Sequence, residues 1–268
     1  MKRGMSWFVP ITVLLLTVLG PAIAPNDPTQ TRLGPVSAPP GDFILGTDTL
    51  GRDVLSRVLN GALPSLLTGG CAAIIAWLIG AIVGAASVLG PIALRLVVRT
   101  FTGALLALPS VVTALVIVTA LGPGLGATAL ATGAAFAGVS SQVWSGLIQS
   151  VVKEPYIEGA QAVGAGWVHI TWFYVLPNVF PSALHYAFAL FATGLLFTSG
   201  LSFLGLNADP SSTDWGNLLA EGRTALRAAP WIMLAPTAAL LAVTMALTSL
   251  GRLVSQRKWS SQPETLWH

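Results

Sequence analysis

Residues 153–178 read KEPYIEGAQAVGAGWVHITWFYVLPN and separate two long apolar regions of the chain. Pro155 suits the first position of a helix, because the N–H that it lacks would be unpaired there anyway. We expect one helix over Pro155–Gly166, which is 12 residues or about 18 Å long. This length is too short to cross a bilayer and suits a helix that lies along the membrane surface. Pro177 should end the following segment and keep Leu176 out of the α region.

The side chains of this predicted helix are small and follow a helical spacing. The positions that share one face are Ile157, Ala160, Gly164 and Trp167. Glu154 and Glu158 lie at or near the first turn, where the helix dipole favours negative charge. Glycine weakens a helix interior by about 1 kcal/mol, so a helix this rich in glycine suggests that another protein approaches its backbone closely.

The composition indicates an integral membrane protein. Of the 268 residues, 54% are hydrophobic and only 9% are charged, whereas roughly a quarter of the residues in a soluble domain are charged. The pI of about 9.4 does not indicate nucleic-acid binding, because no basic run interleaved with aromatic residues accompanies it. The single Cys71 excludes an internal disulfide and a cysteine-based metal cluster.

Six apolar segments are expected to span the membrane. They are Trp7–Ala24, Leu63–Leu89, about 100–121, about 125–148, about 179–206 and Ala229–Leu250. A signal peptide is the alternative for the first segment, but Pro25 directly after it disfavours cleavage. In the second segment, Gly80 and Gly84 have the Gly-x-x-x-Gly spacing that lets helices pack closely.

The charge distribution predicts that both termini are cytoplasmic. With six spans and the N-terminus inside, eight of the 13 basic residues lie inside and five outside. Three of the ten acidic residues then lie inside and seven outside. This bias agrees with the positive-inside rule, and it places residues 153–178 on the cytoplasmic side.

A second informative stretch, FILGTDTLGRDVLSR, covers residues 43–57. Asp48 is expected to cap the helix that follows it. Apolar residues from Val54 onward, with Arg52, Asp53 and Arg57 on the polar side, predict an amphipathic helix at the membrane interface. A phosphate-binding glycine loop is the alternative, but the spacing and the Lys of a P-loop are absent.

The last loop before the sixth predicted span, residues 207–228, contains a predicted short helix beginning at Trp215. Its candidate cap residues are Ser211, Ser212, Thr213 and Asp214. This helix is expected either to face a partner protein or the outer mouth of a path, or to sit at the membrane interface with Trp215 and Trp231 as anchors.

The stretch around Glu158 resembles the cytoplasmic coupling-helix signature of ABC importer permeases. That signature reads Glu-Ala-Ala, three residues, Gly, nine residues and Ile-x-Leu-Pro. Gly159 replaces its first Ala, and Tyr174 stands where Ile is usual; an ordinary loop between two spans is the alternative. The resemblance implies that the residues that couple this chain to an ATPase are Glu154, Tyr156, Glu158, Gly159, Ala160, Gly164, Leu176 and Pro177.

Two further motifs resemble the permeases for dipeptides, oligopeptides and nickel within that family. The extracytoplasmic motif before the second span consists of Gly46, Thr47, Asp48, Gly51, Arg52 and Asp53. The outer-loop motif consists of Asp214, Trp215, Gly216, Asn217 and Glu221. The Asp-rich segment that family members carry after the last span is absent from this chain, where residues 249–258 replace it.

The resemblance, which covers about residues 43–252, implies an all-α membrane protein with six transmembrane helices, the type I ABC importer permease fold and a cytoplasmic coupling helix. We expect an N-terminal transmembrane helix and extracytoplasmic loop over residues 1–42. A permease core of five transmembrane helices should follow over 43–252, and a cytoplasmic tail over 253–268.

By the same resemblance, this chain is a C-type permease subunit of an ATP-driven dipeptide or oligopeptide importer in the bacterial plasma membrane. A B-type permease, two ATPase subunits and an extracytoplasmic solute-binding protein would complete the complex. ATP and Mg would be bound by the ATPases, so no cofactor, metal or catalytic residue is expected in this chain.

The residues themselves exclude several classes of activity. The six predicted spans contain no Asp, Glu, Lys or Arg in their interiors, which disfavours ion-coupled transport. No Walker motif is present, so the chain cannot hydrolyse ATP alone. His169, His185 and His268 are spaced for no metal site. A permease for nickel or another metal chelate remains an alternative, as does a stand-alone secondary transporter or membrane enzyme.

Overall fold

A computed structural model describes residues 2–206 and 213–259, with the backbone alone at 2–6 and 256–259. Helices make up the regular structure of these residues, which confirms the all-α prediction. They are α1 Lys2–Ile23, α2 Val54–Leu89, α3 Ile92–Leu106, α4 Ser110–Leu121, α5 Leu125–Val152, α6 Pro155–Ala162, α7 Trp167–Ile170, α8 Leu176–Phe203, α9 Trp215–Ala225 and α10 Trp231–Trp259. A π-helical turn, Thr171–Val175, joins α7 to α8.

Helices occupy all six positions at which the sequence predicts a membrane span. Within the described residues, three helices are long and apolar enough to cross a membrane, namely Val54–Leu89, Trp167–Phe203 and Trp231–Ser255. The bent pair α3 and α4 would make a fourth. The apolar part of α1, Trp7–Ile23, is shorter, and α5 has the length, at 28 residues, but its many Gly, Ser and Thr residues lower its hydropathy.

The third predicted span is not one straight helix. Its residues form α3 and α4, which meet at an angle of 92°. Pro109 stands directly before α4 with extended backbone, at φ −57° and ψ 129°. Proline lacks the N–H needed to continue α3 and clashes with the preceding turn, so the helix ends and restarts in a new direction.

Helix α2 is the centre of the bundle and packs along α5. A Cβ atom added at Gly80 would lie 2.2 Å from Ser140 Oγ, and one at Gly84 would lie 2.6 Å from Trp144 Cβ. These close approaches confirm the packing role predicted for the Gly-x-x-x-Gly spacing. Because the residue numbers of the contacts rise together, α2 and α5 run parallel, and their C-terminal ends lie at the same end of the bundle.

The prediction of a separate amphipathic helix after Asp53 is wrong, because the residues from Val54 onward form the first turns of α2 itself. Val54 and Val58 are buried in a core cluster with Trp215 and with Ile232 of α10. Their apolar face therefore meets protein and not a membrane interface. A second core cluster, which includes Ile157 of α6, surrounds the C-terminal end of α2.

The predicted tail falls partly outside the described residues. Helix α10 continues to Trp259, so the predicted start of the tail at residue 253 lies within a helix. Residues 260–268 are not described, and neither are the cap candidates Ser211 and Ser212.

Candidate functional site

Helix α6, at the C-terminal end of α2, is shorter than the sequence predicts. It begins with Pro155 in the first turn, as expected, and ends at Ala162 after 8 residues. Gly164 has a φ of +84°, a left-handed conformation that glycine adopts without steric cost. The N–H of Ala165 then donates to the carbonyl of Ala160 at 3.0 Å, a closing bond typical of a helix C-terminus. The predicted helix over Pro155–Gly166 is therefore divided at Gly164.

Of the four residues that the sequence predicts on one face of α6, only Ile157 and Ala160 share a buried face. Ile157 and Ala160 are buried, and they pack against Trp144 and Ile148 of α5 and Val179 of α8. Gly164 lies beyond the helix, and Trp167 is 50% exposed in the next helix. Two apolar residues therefore fix α6 to the bundle.

The opposite side of α6 is exposed. Glu154, Tyr156, Glu158 and Gly159 all lie on it, and a Cβ atom added at Gly159 would meet no described heavy atom within 4 Å. The Tyr156 ring stacks on Tyr174 with the centroids 6.3 Å apart. Burial, followed by the charge of Glu154, raises the pKa of the Tyr156 phenol, so this residue is uncharged at physiological pH. We call these four residues the α6 face.

The prediction that Pro177 ends a segment and keeps Leu176 out of the α region is wrong. Leu176 has α-helical backbone angles, φ −59° and ψ −47°, and the helix continues through Pro177 to Phe203. The π-helical turn Thr171–Val175 precedes the proline, and the Leu176 N–H donates to the Thr171 carbonyl. The wider π turn shifts the hydrogen-bond register so that the missing proline N–H does not interrupt the helix. The Asn178 side chain also donates to the Tyr174 carbonyl at 2.7 Å.

At the N-terminal end of α2, four charged side chains form a partly buried ion cluster. Arg52 Nε donates to Asp48 Oδ2 at 2.6 Å, and Arg57 Nη1 donates to the same oxygen at 2.8 Å. Both arginines also pair with Glu221 of α9. Asp48 is 1% exposed and Arg57 is 3% exposed. The Arg52 and Glu221 side chains are 14% and 27% exposed. Two cations balance two anions here, which makes the burial of Asp48 and Arg57 tolerable.

Asp48 is not the helix cap that the sequence predicts. Its Oδ1 accepts from the N–H groups of Leu50 and Arg52, which folds the loop around the carboxylate. The cap of α2 is Asp53, whose side chain accepts from the N–H groups of Leu55 and Ser56 at 3.2 and 3.3 Å. Asp48 was the expected cap because the sequence does not show where α2 begins.

The remaining residues of the extracytoplasmic motif fix the loop before α2. Gly46 and Gly51 have φ values of +72° and +70°, which favour glycine. A Cβ atom at Gly46 would lie 2.5 Å from the Ala38 carbonyl oxygen. Thr47 is fully buried and accepts from the Ala38 N–H, while Trp231 of α10 donates to the Thr47 carbonyl at 3.1 Å.

The outer-loop motif forms α9, and Asp214 is its cap, as the sequence predicts. The Asp214 side chain accepts from the N–H groups of Gly216 and Asn217. Trp215 is 2% exposed, and its indole donates to the Val58 carbonyl of α2 at 2.8 Å. The expected anchoring of Trp215 at a membrane interface is therefore wrong. We call the ion cluster, α9 and residues 46–53 the outer assembly, after the extracytoplasmic side on which the sequence predicts them.

The extracytoplasmic and outer-loop motifs therefore lie at one end of α2, and the coupling-helix motif lies at the other. Helix α2 has 36 residues and is about 54 Å long. Residues 46–53 and 214–221 meet at its N-terminal end, and α6 packs at its C-terminal end. Arg57 is not among the site residues that the sequence predicts, although it contacts both Asp48 and Glu221 in the ion cluster. An arginine in the first turns of an apolar helix is the signal that could have indicated a buried ion pair.

Comparison with known proteins identifies the family. Residues 76–260 match the family described as the binding-protein-dependent transport system inner membrane component. The chain belongs to that family. Membership places this permease in the membrane as a multi-pass component of an ABC transporter complex with ATPase and substrate-binding partners.

Several curated relatives match almost the whole permease. The di/tripeptide transport system permease DppC of Pseudomonas aeruginosa is 29% identical over 248 residues, which are 90% of this chain and 82% of that protein. A putative peptide transport system permease of Brucella suis is 31% identical, with coverages of 94% and 86%. The peptide transport system permease SapC of Escherichia coli is also 31% identical, with coverages of 92% and 80%. These relatives are transport subunits and are not named as catalytic ones.

A solved structure shows the same fold. A chain of an amino acid ABC transporter, crystallised with histidines, superposes on 75% of this permease and 94% of its own length with a TM-score of 0.63. The two chains are 17% identical, so this likeness supports the ABC permease fold and nothing finer.

Proposed function

We propose that this chain is the C-type permease subunit of an ATP-driven importer for dipeptides and oligopeptides, and that it forms half of the translocation path. The supporting observation is that relatives named as peptide permeases match 90%, 94% and 92% of the chain. Similarity over nine-tenths of the chain extends beyond residues 76–260, which match the family model.

The uncharged character of the bundle supports this substrate class. A groove of about 370 Å³ between α2 and α8 is lined by apolar and aromatic residues such as Trp77, Phe188 and Phe191. Peptides differ in their side chains, and an apolar wall without fixed charge passes them without selecting one. Selection among peptide side chains then resides in the solute-binding partner.

The α6 face is proposed as the contact for an ATPase subunit. Ile157 and Ala160 hold α6 against α5 and α8, so a force on α6 reaches two long helices of the bundle. Tyr156, Glu158 and Gly159 remain exposed on the side away from the bundle. Gly159 leaves space for a partner to approach the backbone. Closure of the ATPases would rotate the bundle as a rigid body and open the path to each side in turn.

The side of the membrane that each partner occupies follows from the orientation of α2, whose two ends carry α6 and the outer assembly. With α6 on the cytoplasmic side, as the charge bias predicts, both termini are cytoplasmic and the outer assembly faces the solute-binding protein. A B-type permease completes the path, and two ATPase subunits bind ATP and Mg. This arrangement assigns no ATP-binding residue to the permease itself.

Uptake measurements test the proposal. We expect cells that lack this chain to lose uptake of a radiolabelled dipeptide, and a plasmid copy to restore it unless ATP is depleted. We also expect the tagged chain to co-purify with ATPase subunits. Unchanged dipeptide uptake together with lost nickel uptake would instead indicate the metal-chelate permease. Uptake by the purified chain without ATPases would indicate a secondary transporter.

A further inference from the structure

A polar cavity of about 230 Å³ lies between α2, α3 and α5. Three larger grooves in the described part of the protein, of about 370, 590 and 720 Å³, are lined mostly by apolar residues. The polar residues that line the smaller cavity are Ser87, Arg99, Thr102, Ser141, Gln142 and Ser145. None of the motifs discussed above includes these residues.

The cavity is half open at the surface of the bundle, near the end that carries α6, and Arg99 and Gln142 are exposed there. Arg99 is seven residues after Ile92, the first residue of α3, and Ser145 is seven residues before Val152, the last residue of α5. Seven helical residues rise about 10 Å. A solute that crosses the bundle from the outer assembly would reach this depth late in its passage.

Thr102 supplies an unpartnered hydroxyl to the cavity. The residue is 8% exposed, and its hydroxyl forms no hydrogen bond with any described residue. Other helical threonines of this chain, such as Thr68 and Thr198, donate to a carbonyl four residues earlier. The hydroxyl oxygen keeps some access to solvent, so its hydrogen is free to donate to a ligand that accepts a hydrogen bond.

Ser87, Ser141 and Ser145 are held in place by hydrogen bonds within the bundle. Ser87 Oγ lies 3.1 Å from Ser145 Oγ, and Gln149 donates to Ser145 at 3.0 Å. Ser141 donates to the Gly138 carbonyl and keeps its oxygen at the cavity wall. Ser87 and Ser141 each donate their one hydroxyl hydrogen to a backbone carbonyl, of Gly84 and of Gly138. These serines therefore hold the cavity wall in place, and Arg99 and Thr102 are the donors that could reach an acceptor group.

The charge of the lining selects an anion. Arg99 is the cationic residue of the lining, no acidic side chain belongs to it, and Arg99 forms no ion pair with any residue that the structure describes. A guanidinium binds a carboxylate through two parallel hydrogen bonds. Dipeptides and oligopeptides of every sequence share one terminal carboxylate, which a single arginine recognises whatever the side chains are.

We propose that this cavity binds the terminal carboxylate of the transported peptide, with Arg99 pairing with its oxygens and the Thr102 hydroxyl donating to one of them. This inference rests on the proposed peptide-import function and adds a substrate contact within the permease. Arg99 and Thr102 are specificity residues, because they distinguish a peptide acid from its amide.

The test uses the complete transporter in liposomes of phosphatidylcholine, with a saturating concentration of its binding protein. Maximal uptake rates are measured for a dipeptide and for the same dipeptide with a C-terminal amide. In Arg99→Gln, the ratio of the acid rate to the amide rate should fall about tenfold, the loss expected for one charge-assisted hydrogen bond. The ratio should fall less in Arg99→Lys and in Thr102→Val. Thr100→Val, a matched change at an exposed position of α3, should keep the wild-type ratio.

Three results would overturn the inference, and each can be told apart from a result that overturns the proposed peptide-import function. An unchanged ratio in Arg99→Gln excludes carboxylate recognition by this residue. Equal loss of both rates shows a structural role. An effect that appears only when phosphatidylglycerol is added shows that the cavity binds a lipid phosphate. Absence of peptide uptake by the wild-type transporter would instead overturn the function itself, and the inference with it.

Discussion

Arg57 and Glu221 are 164 positions apart in the sequence and form a two-pronged ion pair. Nη2 of Arg57 donates to Oε1 of Glu221 at 3.0 Å, and Nη1 donates to Oε2. The guanidinium is 3% exposed and the carboxylate 27% exposed, so the cation is buried and the acid lies at the rim. The pair ties the start of α2 to α9, and the same guanidinium holds Asp48.

Replacing Arg57 tests the importance of this ion cluster for stability. Arg57→Ala leaves Asp48 buried with one fewer cation, and removing one partner from a buried pair costs about 3–5 kcal/mol. We expect a large fall in the thermal unfolding temperature of the purified transporter. Arg227→Ala removes the same charge at an exposed position and should change that temperature little. Equal stability of the two variants would contradict a structural role of the cluster.

Asp53 is predicted to stabilise the first turn of α2. Asp53→Ala removes the acceptor for the N–H groups of Leu55 and Ser56 and for the Asn26 side chain. Loss of a cap of this kind costs about 1–2 kcal/mol. Asp53→Asn keeps a cap oxygen and should lose less, and Asp42→Ala at an exposed loop position should lose almost nothing. Thermal unfolding of the three variants would show this order.

Gly216 is predicted to be required for the close packing of α9 on α8. A Cβ atom there would lie 2.2 Å from the Ser199 carbonyl oxygen, a backbone atom that cannot move aside alone. Gly216→Ala should therefore destabilise the protein by about 1–3 kcal/mol through overpacking.

Gly200→Ala is the matched control for this change. No described atom lies within 4 Å of the added Cβ at Gly200, and alanine favours a helix over glycine by about 1 kcal/mol. Its unfolding temperature should stay the same or rise. A lower temperature for Gly200→Ala than for Gly216→Ala would contradict the packing seen here.

Gly159 provides the test of the α6 face. Gly159→Trp fills the space left for a partner and should abolish ATP-driven uptake, while membrane insertion stays intact because the residue faces away from the bundle. Gly159→Ala adds one methyl group and should leave uptake near the wild-type rate. Gly159 is a better position than Gly164, whose φ of +84° would strain any side chain. A well-expressed Gly159→Trp variant with normal uptake would exclude α6 as the ATPase contact.

Local patterns predicted several elements correctly. The starts of α6 at Pro155 and of α9 after Asp214 follow from one residue each, because a proline in the first turn and an acidic cap act within a few positions. Gly80 and Gly84 predicted that another helix packs closely on α2, and the structure shows that this helix is α5. The family followed from motif spacing and was confirmed by the match over residues 76–260.

Other predictions failed where a distant residue decides the local structure. Pro177 was expected to break a helix, but the π-helical turn before it absorbs the missing hydrogen bond. Arg57 was expected on a polar face exposed at an interface, but Asp48 and Glu221 neutralise it inside the protein. Neither the π turn nor the pairing with Glu221 has a signature within the neighbouring residues.

The sequence by itself determined the helical class, the positions of the apolar helices and the family, since these depend on composition and on spacing along the chain. Only the tertiary structure decided which charges are buried together and which hydroxyls surround Arg99. Those arrangements join α2 with α9, and α2 and α3 with α5. Contacts between residues that are far apart in the chain depend on how whole helices pack, and local periodicity carries no record of that packing.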